Sequence, residues 1–522
     1  MRWVGLVVVG SLLSLVLFAG VMAYQLSQSS VHFSLVRDRI ESALQARLPT
    51  GHTVEVETAS LAYRRDRGLL IEAENVAIGL PDGGSISASR ISTATAVGAL
   101  FGGSLDLRKI TITSLQIVPP AAPEPSRSFS RAQIIRRNAH RVAAAVAATD
   151  DALRGAGFEE VLLFQTAIEA RGALENLTIP VALLSFSEAR WSPLSDNRSK
   201  LTVRGSAGGE VWTASVERTR REDGTDMVRL ALSDLSPNVF LPALNQPDRL
   251  PRYVAPGYAS ARMVVDPQGD LAQLSARLTM GAGFLSLAPN QIALIDEADI
   301  AFDLDLKDDV IRIPRAAVFS GAARFIFGAS ASLPDPSEPI LIVGQIAEAV
   351  LPATAWSKKR HRLTAGMLKA SIDTRAGKFR LDQLTVSSPA GSASLAGTAE
   401  LTGPSAGIAL ALSFDEAPVE LGRALWPAFI TPKVLNWIDA NLSGGIVGPG
   451  TLRVALPRDH IGERGRNRVL PPYALEGSMT FRGARFSPVE SLPVIEEAAG
   501  RIDMAEATAT ITLDAGKAAM GE

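Results

Sequence analysis

The sequence predicts a mainly β protein that begins with a membrane-spanning helix and continues as an elongated, repeat-like sheet with a few amphipathic helices. Three observations predict this fold. Residues 4–24 form an uncharged apolar run. From residue 158 onward, apolar and polar residues alternate between turn residues, as in strands with one buried face. Segment 302–333 matches segment 370–401 in its order of strands and turns, which is typical of stacked structural units.

The apolar run is predicted to be a membrane anchor over residues 1–24, with Val4, Leu12, Leu17 and Tyr24 inside the bilayer. Its length of about 30 Å matches the hydrocarbon thickness of a membrane. A cleaved signal peptide is the alternative, but its apolar core would be shorter, about 7–15 residues. Because Arg2 precedes the span, we expect a single pass with a cytoplasmic N-terminus and the bulk of the chain across the membrane.

Composition excludes several classes of function. Lys and Arg total 52 against 54 Asp and Glu, so the chain lacks the basic excess that binding to nucleic acid needs. It has no cysteine, which excludes thiolate metal sites and a cysteine nucleophile. The sequence has no phosphate-binding loop, nucleophile elbow or zinc-protease motif. We therefore predict a non-enzymatic protein without a catalytic residue, cofactor or metal, and interpret Asp303, Asp305, Asp308 and Asp309 as a solvated polar surface.

The anchor is followed by an α+β module over residues 25–118. A helix is predicted over 31–48 from its apolar stripe, which includes Ile40 and Leu44. Alternating segments then follow from Thr53 to Val118. The proline-rich residues 119–125 mark a boundary, and residues 158–522 form the repeat-like β region. One further helix is predicted there, beginning with Thr431 and Pro432.

A basic amphipathic helix over residues 130–154 follows the proline-rich linker, so that linker and helix together occupy 119–157. Its apolar stripe contains Ile135, Val142, Val146 and Leu153, and Gly155 is a suitable stop. Two interpretations stay open. The stripe packs on a sheet, or the helix lies on a membrane. The candidates for contact with lipid headgroups are Arg136, Arg137 and Arg141, together with the basic run of Lys358, Lys359 and Arg360, which otherwise lies in a solvated loop.

Four segments carry a resemblance to a known family. They are PTGHTVEVETASLAYRRDRGLLIEAENVAIGLPDG, ALFGGSLDLRKITITSLQIVPP, GYASARMVVDPQGDLAQLSARLTMGAGFLSLAP and LWPAFITPKVLNWIDANLSGGIVGPGTLRVALP. The last is the most specific and contains Trp426, Pro427, Trp437 and Gly445. On these segments the chain resembles the AsmA-like proteins of Gram-negative envelopes, and among them the YhdP-type branch.

The resemblance implies a twisted sheet curled into an open hydrophobic groove. It also implies a function, which is phospholipid transport between the inner and outer membranes by a periplasmic protein anchored in the inner membrane. The implied partners are phospholipid acyl chains, the inner membrane, and outer-membrane or periplasmic proteins. The alternative is a structural or assembly factor for outer-membrane proteins or envelope integrity. Members of this branch are longer, so we expect an N-terminal fragment, with a further repeat beginning at Ile502.

Overall fold

The computed structural model describes most of the chain after residue 30. The described residues are 31–32, 34–45, 51–64, 68–81, 84–95, 108–118, 129–169, 183–207, 210–235, 252–254, 256–288, 291–351, 360–400, 407–425, 437, 440–457, 469, 471–487, 493–506 and 508–518. They form two compact units. The first comprises Met1–Ser126, His140–Ala243 and Arg262–Asp270, and the second comprises Arg127–Ala139, Leu244–Ala261 and Leu271–Glu522.

The prediction of a mainly β fold with few helices is confirmed. Among the described residues, the helices with defined bounds are α1 (Ser34–Gln45), α2 (Arg131–Gly155) and α3 (Val419–Leu425), with a 3₁₀ turn at Pro472–Ala474. The first ten strands are β1 (Val31–His32), β2 (Thr53–Arg64), β3 (Gly68–Gly79), β4 (Ser85–Thr95), β5 (Lys109–Val118), β6 (Glu160–Glu169), β7 (Leu183–Ser195), β8 (Arg198–Ala207), β9 (Glu210–Arg220) and β10 (Asp226–Leu235).

Twenty further strands follow β10 in the described residues. The first ten of these are β11 (Arg252–Val254), β12 (Gly257–Val265), β13 (Leu271–Met280), β14 (Gly283–Ala288), β15 (Gln291–Ile295), β16 (Glu297–Asp305), β17 (Val310–Ser320), β18 (Ala323–Ser332), β19 (Ile340–Leu351) and β20 (His361–Leu363). The last ten are β21 (Ala365–Asp373), β22 (Lys378–Ser388), β23 (Gly391–Glu400), β24 (Ile408–Phe414), β25 (Ala417–Pro418), β26 (Leu442–Ser443), β27 (Ile446–Leu456), β28 (Leu475–Phe486), β29 (Ile495–Ala505) and β30 (Thr508–Ala518).

In the first unit, β1 to β10 pair in chain order. Each neighbouring pair is antiparallel, except that β5 and β6 run parallel. β5 and β6 can run parallel because the segment that connects them contains α2. This segment returns the chain to the end of the sheet at which β5 begins. Helix α1 packs on β2, with Ile40 and Leu44 against Val54 and Val56. This contact confirms the apolar stripe predicted for the first helix.

The second unit is a run of antiparallel strands. It passes from β13 to β16, β17, β18, β19, β21, β22, β23, β24, β27, β28, β29 and β30. The short strands β20, β25 and β26 pair beside them with β19, β27 and β28. Strands β11, β14 and β15 form a separate small sheet.

The internal repeat seen in the sequence is a structural repeat with a period of 68 residues. Strands β16, β17 and β18 have the same bounds as β21, β22 and β23 after that shift. Asp305 accepts the backbone N–H groups of Lys307 and Asp308, and Asp373 accepts the equivalent pair. Asp309 and Gly377, the next equivalent positions, both have positive φ. The repeat therefore reproduces a turn in which an aspartate closes the loop and a left-handed residue reverses the chain.

A glycine on β23 is expected to resist even the smallest substitution. A Cβ at Gly397 would clash with the Ala409 carbonyl oxygen and lie 2.7 Å from Leu410 Cδ2. We expect Gly397→Ala to destabilise the β23–β24 pair by about 1–3 kcal/mol, because the backbone must move. Hydrogen exchange of the β23 and β24 amides measures this loss. Gly155→Ala is the control, since nothing lies within 4 Å of its Cβ position. Unchanged exchange in Gly397→Ala would contradict the packing argument.

Candidate functional site

One face of the second unit carries unbroken rows of apolar residues that run across the strands. A first row, here called the Val386 row, crosses thirteen strands through directly paired residues. Its members are Leu278, Ile300, Ala316, Phe327, Ile346, Gly366, Val386, Ala393, Phe414, Gly450, Met479, Ile502 and Ile511. At about 4.8 Å per strand, the row is about 58 Å long.

A second row, here called the Leu304 row, runs beside the first across eleven strands. Its members are Leu274, Leu304, Ile311, Ala331, Ile342, Ala370, Leu381, Gly397, Leu410, Val454 and Leu475. Two β-bulges, one on β17 and one on β22, keep the rows in phase, since each shifts the register without moving the apolar positions to the other face. Val386 lies in the first row and Leu304 in the second.

The exposure of these rows changes along the unit. Between β16 and β24 their large side chains, such as Ile300, Phe327 and Leu410, are half-buried, and Leu381 is buried. From β27 to β29 the rows enter a buried cluster that includes Leu452, Val454 and Leu475. The opposite face is polar, with ion pairs such as Arg277–Asp299 at 2.6 Å and Arg501–Asp503 at 2.7 Å. The sheet therefore has one apolar face and one face that carries the ion pairs, although Leu341, Val343 and Met367 are exposed on that second face.

A cavity of about 110 Å³ lies at the buried end of the rows. We call it the Trp437 cavity. Its walls are apolar side chains of the rows, with α3 and Trp437 beside them. The lining residues are Leu412, Phe414, Val419, Gly422, Arg423, Trp437, Leu442, Val447, Leu452, Met479, Ile502, Met504, Ala509 and Ile511. The sequence did not predict α3, because seven residues are too few for a recognisable helical period.

One charged group lines this apolar cavity. The side chain of Arg423 is only 9% exposed, whereas Trp437 is 39% exposed and its ring lies 6.3 Å from that of Phe486. Burial lowers the pKa of the Arg423 guanidinium, and the Glu420 carboxylate opposes that shift. Arg423 is therefore a buried cation beside a cavity whose own surface is apolar.

The predicted membrane anchor, with Val4, Leu12, Leu17 and Tyr24, lies outside the described residues. The helices that the structure describes do not include one that is long and apolar enough to cross a membrane. Most of the helix predicted from Thr431 also lies outside that part of the chain, although Trp437 is helical.

The basic candidates for headgroup contact are not gathered into one site. Arg136 binds the Leu306 carbonyl oxygen and the Asp309 carboxylate. The guanidinium of Arg137 lies 5.0 Å from the centre of the Phe129 ring, and Arg141 is exposed. Lys358 and Lys359 lie outside the described residues, and Arg360 is exposed just before β20.

Helix α2 begins and ends through local capping. Ser130 and Gln133 exchange side-chain and backbone hydrogen bonds at its start, as in a capping box. The helix ends at Gly155, as predicted, and Gly157 just beyond it adopts the left-handed conformation. The predicted apolar stripe is wrong at Val142, which is 43% exposed, while Ala132, Ala143 and Asp150 are buried. The hydrogen bonds and ion pairs of Asp150 therefore determine which side of the helix is buried.

Asp150 belongs to a buried ion-pair cluster in the first unit. Arg218 on β9 is 3% exposed and lies 3.1 Å from Asp150 and 2.9 Å from Asp226, with Asp151 at 2.5 Å. Arg154 and the Trp191 indole also bind Asp150, at 3.0 and 3.1 Å. Burial raises the pKa of Asp150, but hydrogen bonding to Ser199, Arg154 and Trp191 outweighs it, so the pKa lies below its usual value.

The sequence did not predict this cluster, although a signal for it is present. Arg218 follows Ala214 and Val216 at alternating positions and therefore occupies the apolar side of β9. A charge at such a position needs partners. Two adjacent aspartates near the end of an otherwise alanine-rich helix could have supplied them.

The predicted acidic surface takes part in turns and ion pairs. Arg312 lies 2.6 Å from Asp305 and 3.3 Å from Asp308. Within the described ranges, His, Asp and Glu side chains do not form a cluster that could hold a metal ion. Comparisons of the chain with family models, curated proteins and solved structures gave no match. The resemblance to AsmA-like proteins therefore remains a prediction from the four sequence segments.

Proposed function

We propose that the apolar face of the second unit is an open groove that binds lipid acyl chains. Its role would be to contribute to phospholipid transport between the inner and outer membranes. The supporting observation is the continuity of the Val386 row, which has no polar side chain over thirteen strands. Half-buried side chains between β16 and β24 can still bury surface against a ligand. Each methylene that they cover would contribute about 0.8 kcal/mol.

The energetics of such a groove suit passive movement. A lipid that leaves a bilayer loses an apolar environment for its chains, at a cost of about 0.8 kcal/mol for each exposed methylene. A continuous apolar face offsets that cost at every step, so the lipid crosses no fully solvated state. The row length of about 58 Å exceeds the bilayer hydrocarbon thickness of about 30 Å. The rows therefore have room for more than one chain end to end.

The proposal includes an inner-membrane anchor at residues 4–24 and a periplasmic location for the remaining chain. It follows from the uncharged run and from the resemblance described above. The polar face, with its cross-strand ion pairs, would then lie toward the aqueous periplasm.

Photo-crosslinking from paired positions tests the groove. A benzophenone amino acid is placed at Leu304 or Val386 in the rows, and at the adjacent exposed Asp303 or Ser387 as matched controls. Because successive residues of a strand point to opposite faces, we expect phospholipid adducts from the first pair and several-fold fewer from the second. Equal yields from both faces would contradict the groove. Adducts with proteins alone would favour the assembly-factor alternative.

A further inference from the structure

The Val386 row changes its surroundings toward the end of the second unit. Its large side chains are half-buried as far as β24, and from β27 onward the row enters the buried cluster. Four of its members, Phe414, Met479, Ile502 and Ile511, also line the Trp437 cavity, where α3 and Trp437 lie beside the row. An acyl chain on the half-buried part of the row would therefore meet the cavity with one of its two ends.

We propose that the Trp437 cavity holds the methyl end of an acyl chain that lies on the Val386 row. The ligand class is a lipid with a long, unbranched hydrocarbon chain. This inference rests on the proposed lipid-binding function and adds an orientation to it, with the chain end at β28 and the headgroup toward β23. The cavity of about 110 Å³ is smaller than the cavities of about 150 Å³ that bind benzene. Only the last few carbon atoms of the chain would therefore enter it.

The surface of the cavity determines which end of a lipid it accepts. That surface is apolar, and most of the lining consists of aliphatic, aromatic and methionine side chains. A headgroup placed there would exchange its hydrogen bonds with water for apolar contacts, which is unfavourable. A methyl end loses only its contact with water, and each methylene that follows it into the cavity strengthens binding by about fourfold. The cavity therefore favours the hydrocarbon end over the headgroup.

The distance along the row suits a single acyl chain. Ala393 on β23 and Met479 on β28 belong to the Val386 row and are three strand spacings apart, which is about 14 Å. One leaflet of a bilayer has a hydrocarbon thickness of about 15 Å, so the chain of a membrane lipid is long enough to join the two positions. Strands β28 and β23 can therefore report separately on the two ends of the chain.

The test uses the full chain in phosphatidylcholine nanodiscs that contain one of two photoreactive phosphatidylcholines. The tail probe carries a diazirine at the methyl end of an acyl chain, and the head probe carries it beside the ester group. Peptide mapping by mass spectrometry measures the ratio of adducts on β28 to adducts on β23. We expect this ratio to be about four- to sixteenfold higher for the tail probe, as one or two methylenes held in the cavity would give.

The two strands also distinguish failure of this inference from failure of the groove. Equal ratios for the two probes, with β23 labelled, would overturn the placement of the chain end and leave the groove intact. Absence of adducts from both β23 and β28 would overturn the groove as well.

Variants that fill the cavity give the second measurement. Ala509 lines the cavity from β30, so Ala509→Leu should lower the ratio of the tail probe to that of the head probe by occupying the space of the chain end. Thr510→Leu is the matched control, because Thr510 is the next residue of β30 and pairs with Asp503 on the polar face. Its ratio should equal that of the unchanged protein, and hydrogen exchange of the β29 and β30 amides establishes that both variants are folded.

A second variant fills the same space from the opposite wall. Gly422 on α3 lines the cavity, and a Cβ at this position would lie 3.6 Å from Val447 Cγ1, which is ordinary contact. Gly422→Leu should therefore have the same effect as Ala509→Leu. A ratio that stays high for the tail probe in a folded variant of either kind would overturn the proposal.

Discussion

Arg218→Met is expected to destabilise the β9–β10 region by about 3–5 kcal/mol. Removing one partner of a buried ion pair leaves the other charge uncompensated. Asp150 and Asp226 are the carboxylates affected, with side chains 7% and 18% exposed. Arg154 remains beside Asp150, which favours the lower end of that range. Hydrogen exchange of the β9 and β10 amides is the appropriate measurement, because a chain with two compact units lacks a single unfolding free energy.

Arg220→Met is the matched control. Arg220 lies on the same strand, 3.8 Å from Asp151, but its side chain is 56% exposed. Exposed pairs contribute about 0–1 kcal/mol, so exchange in β9 should change little. A double variant, Arg218→Met with Asp226→Asn, should recover part of the lost stability, because it removes one carboxylate that would otherwise lack a partner. Equal effects of Arg218→Met and Arg220→Met would show that burial does not govern the cluster.

The pH dependence of the same region gives an independent measurement. The pKa of Asp150 is lower in the folded protein than its usual value. Its ionised form therefore stabilises the fold at neutral pH, and this contribution disappears as the pH falls below about 4. Asp150→Asn should be less stable at neutral pH and should lose less stability on acidification. A parallel acid response in both proteins would contradict the assigned role of Asp150.

The strands of the second unit were predictable because apolar and polar residues alternate along a strand that has one buried and one exposed face. Ala301 to Leu306 alternates because one face meets water, and β16 contains Ala301 to Asp305 of this segment, with Phe302 and Leu304 on the apolar face. The 68-residue repeat was visible for the same reason, since equivalent turns need equivalent residues such as Asp305 and Asp373. Periodicity thus encoded both the strands and their order.

Contacts between distant segments were not predictable in this way. The rotation of α2 depends on Arg218, which lies 68 residues beyond Asp150, and apolar periodicity cannot include such a partner. The Trp437 cavity likewise forms where α3 packs beside strands between β24 and β30. A local sequence pattern does not contain such a contact. Register is a third case, because bulges such as that between Leu381 and Leu384 move the apolar positions by one residue. A strict alternation would have assigned Leu384 to the polar face.

Leu395→Asp is expected to reduce acyl-chain binding by about two orders of magnitude. Leu395 is half-buried and pairs with Leu384 and Leu412, so the carboxylate would stand among apolar side chains in the middle of the face. A charge that contacts acyl chains costs about 2.5–3.5 kcal/mol. A charged residue on the apolar face is also a barrier to an acyl chain that moves along it. The rate of lipid movement should therefore decrease together with the binding affinity. Labelling by a photoreactive twelve-carbon alcohol, here called the alcohol probe, measures binding without any contribution from an anionic headgroup.

Ser394→Asp is the matched control, since Ser394 precedes Leu395 on the same strand and pairs with Thr385 and Ser413 on the polar face. The two variants add the same charge to the same strand, and only the face differs. Hydrogen exchange in β23 establishes whether either variant unfolds the strand. A folded Leu395→Asp protein that binds the alcohol probe as well as Ser394→Asp does would mean that acyl chains do not lie on this face. The apolar rows would then need another occupant.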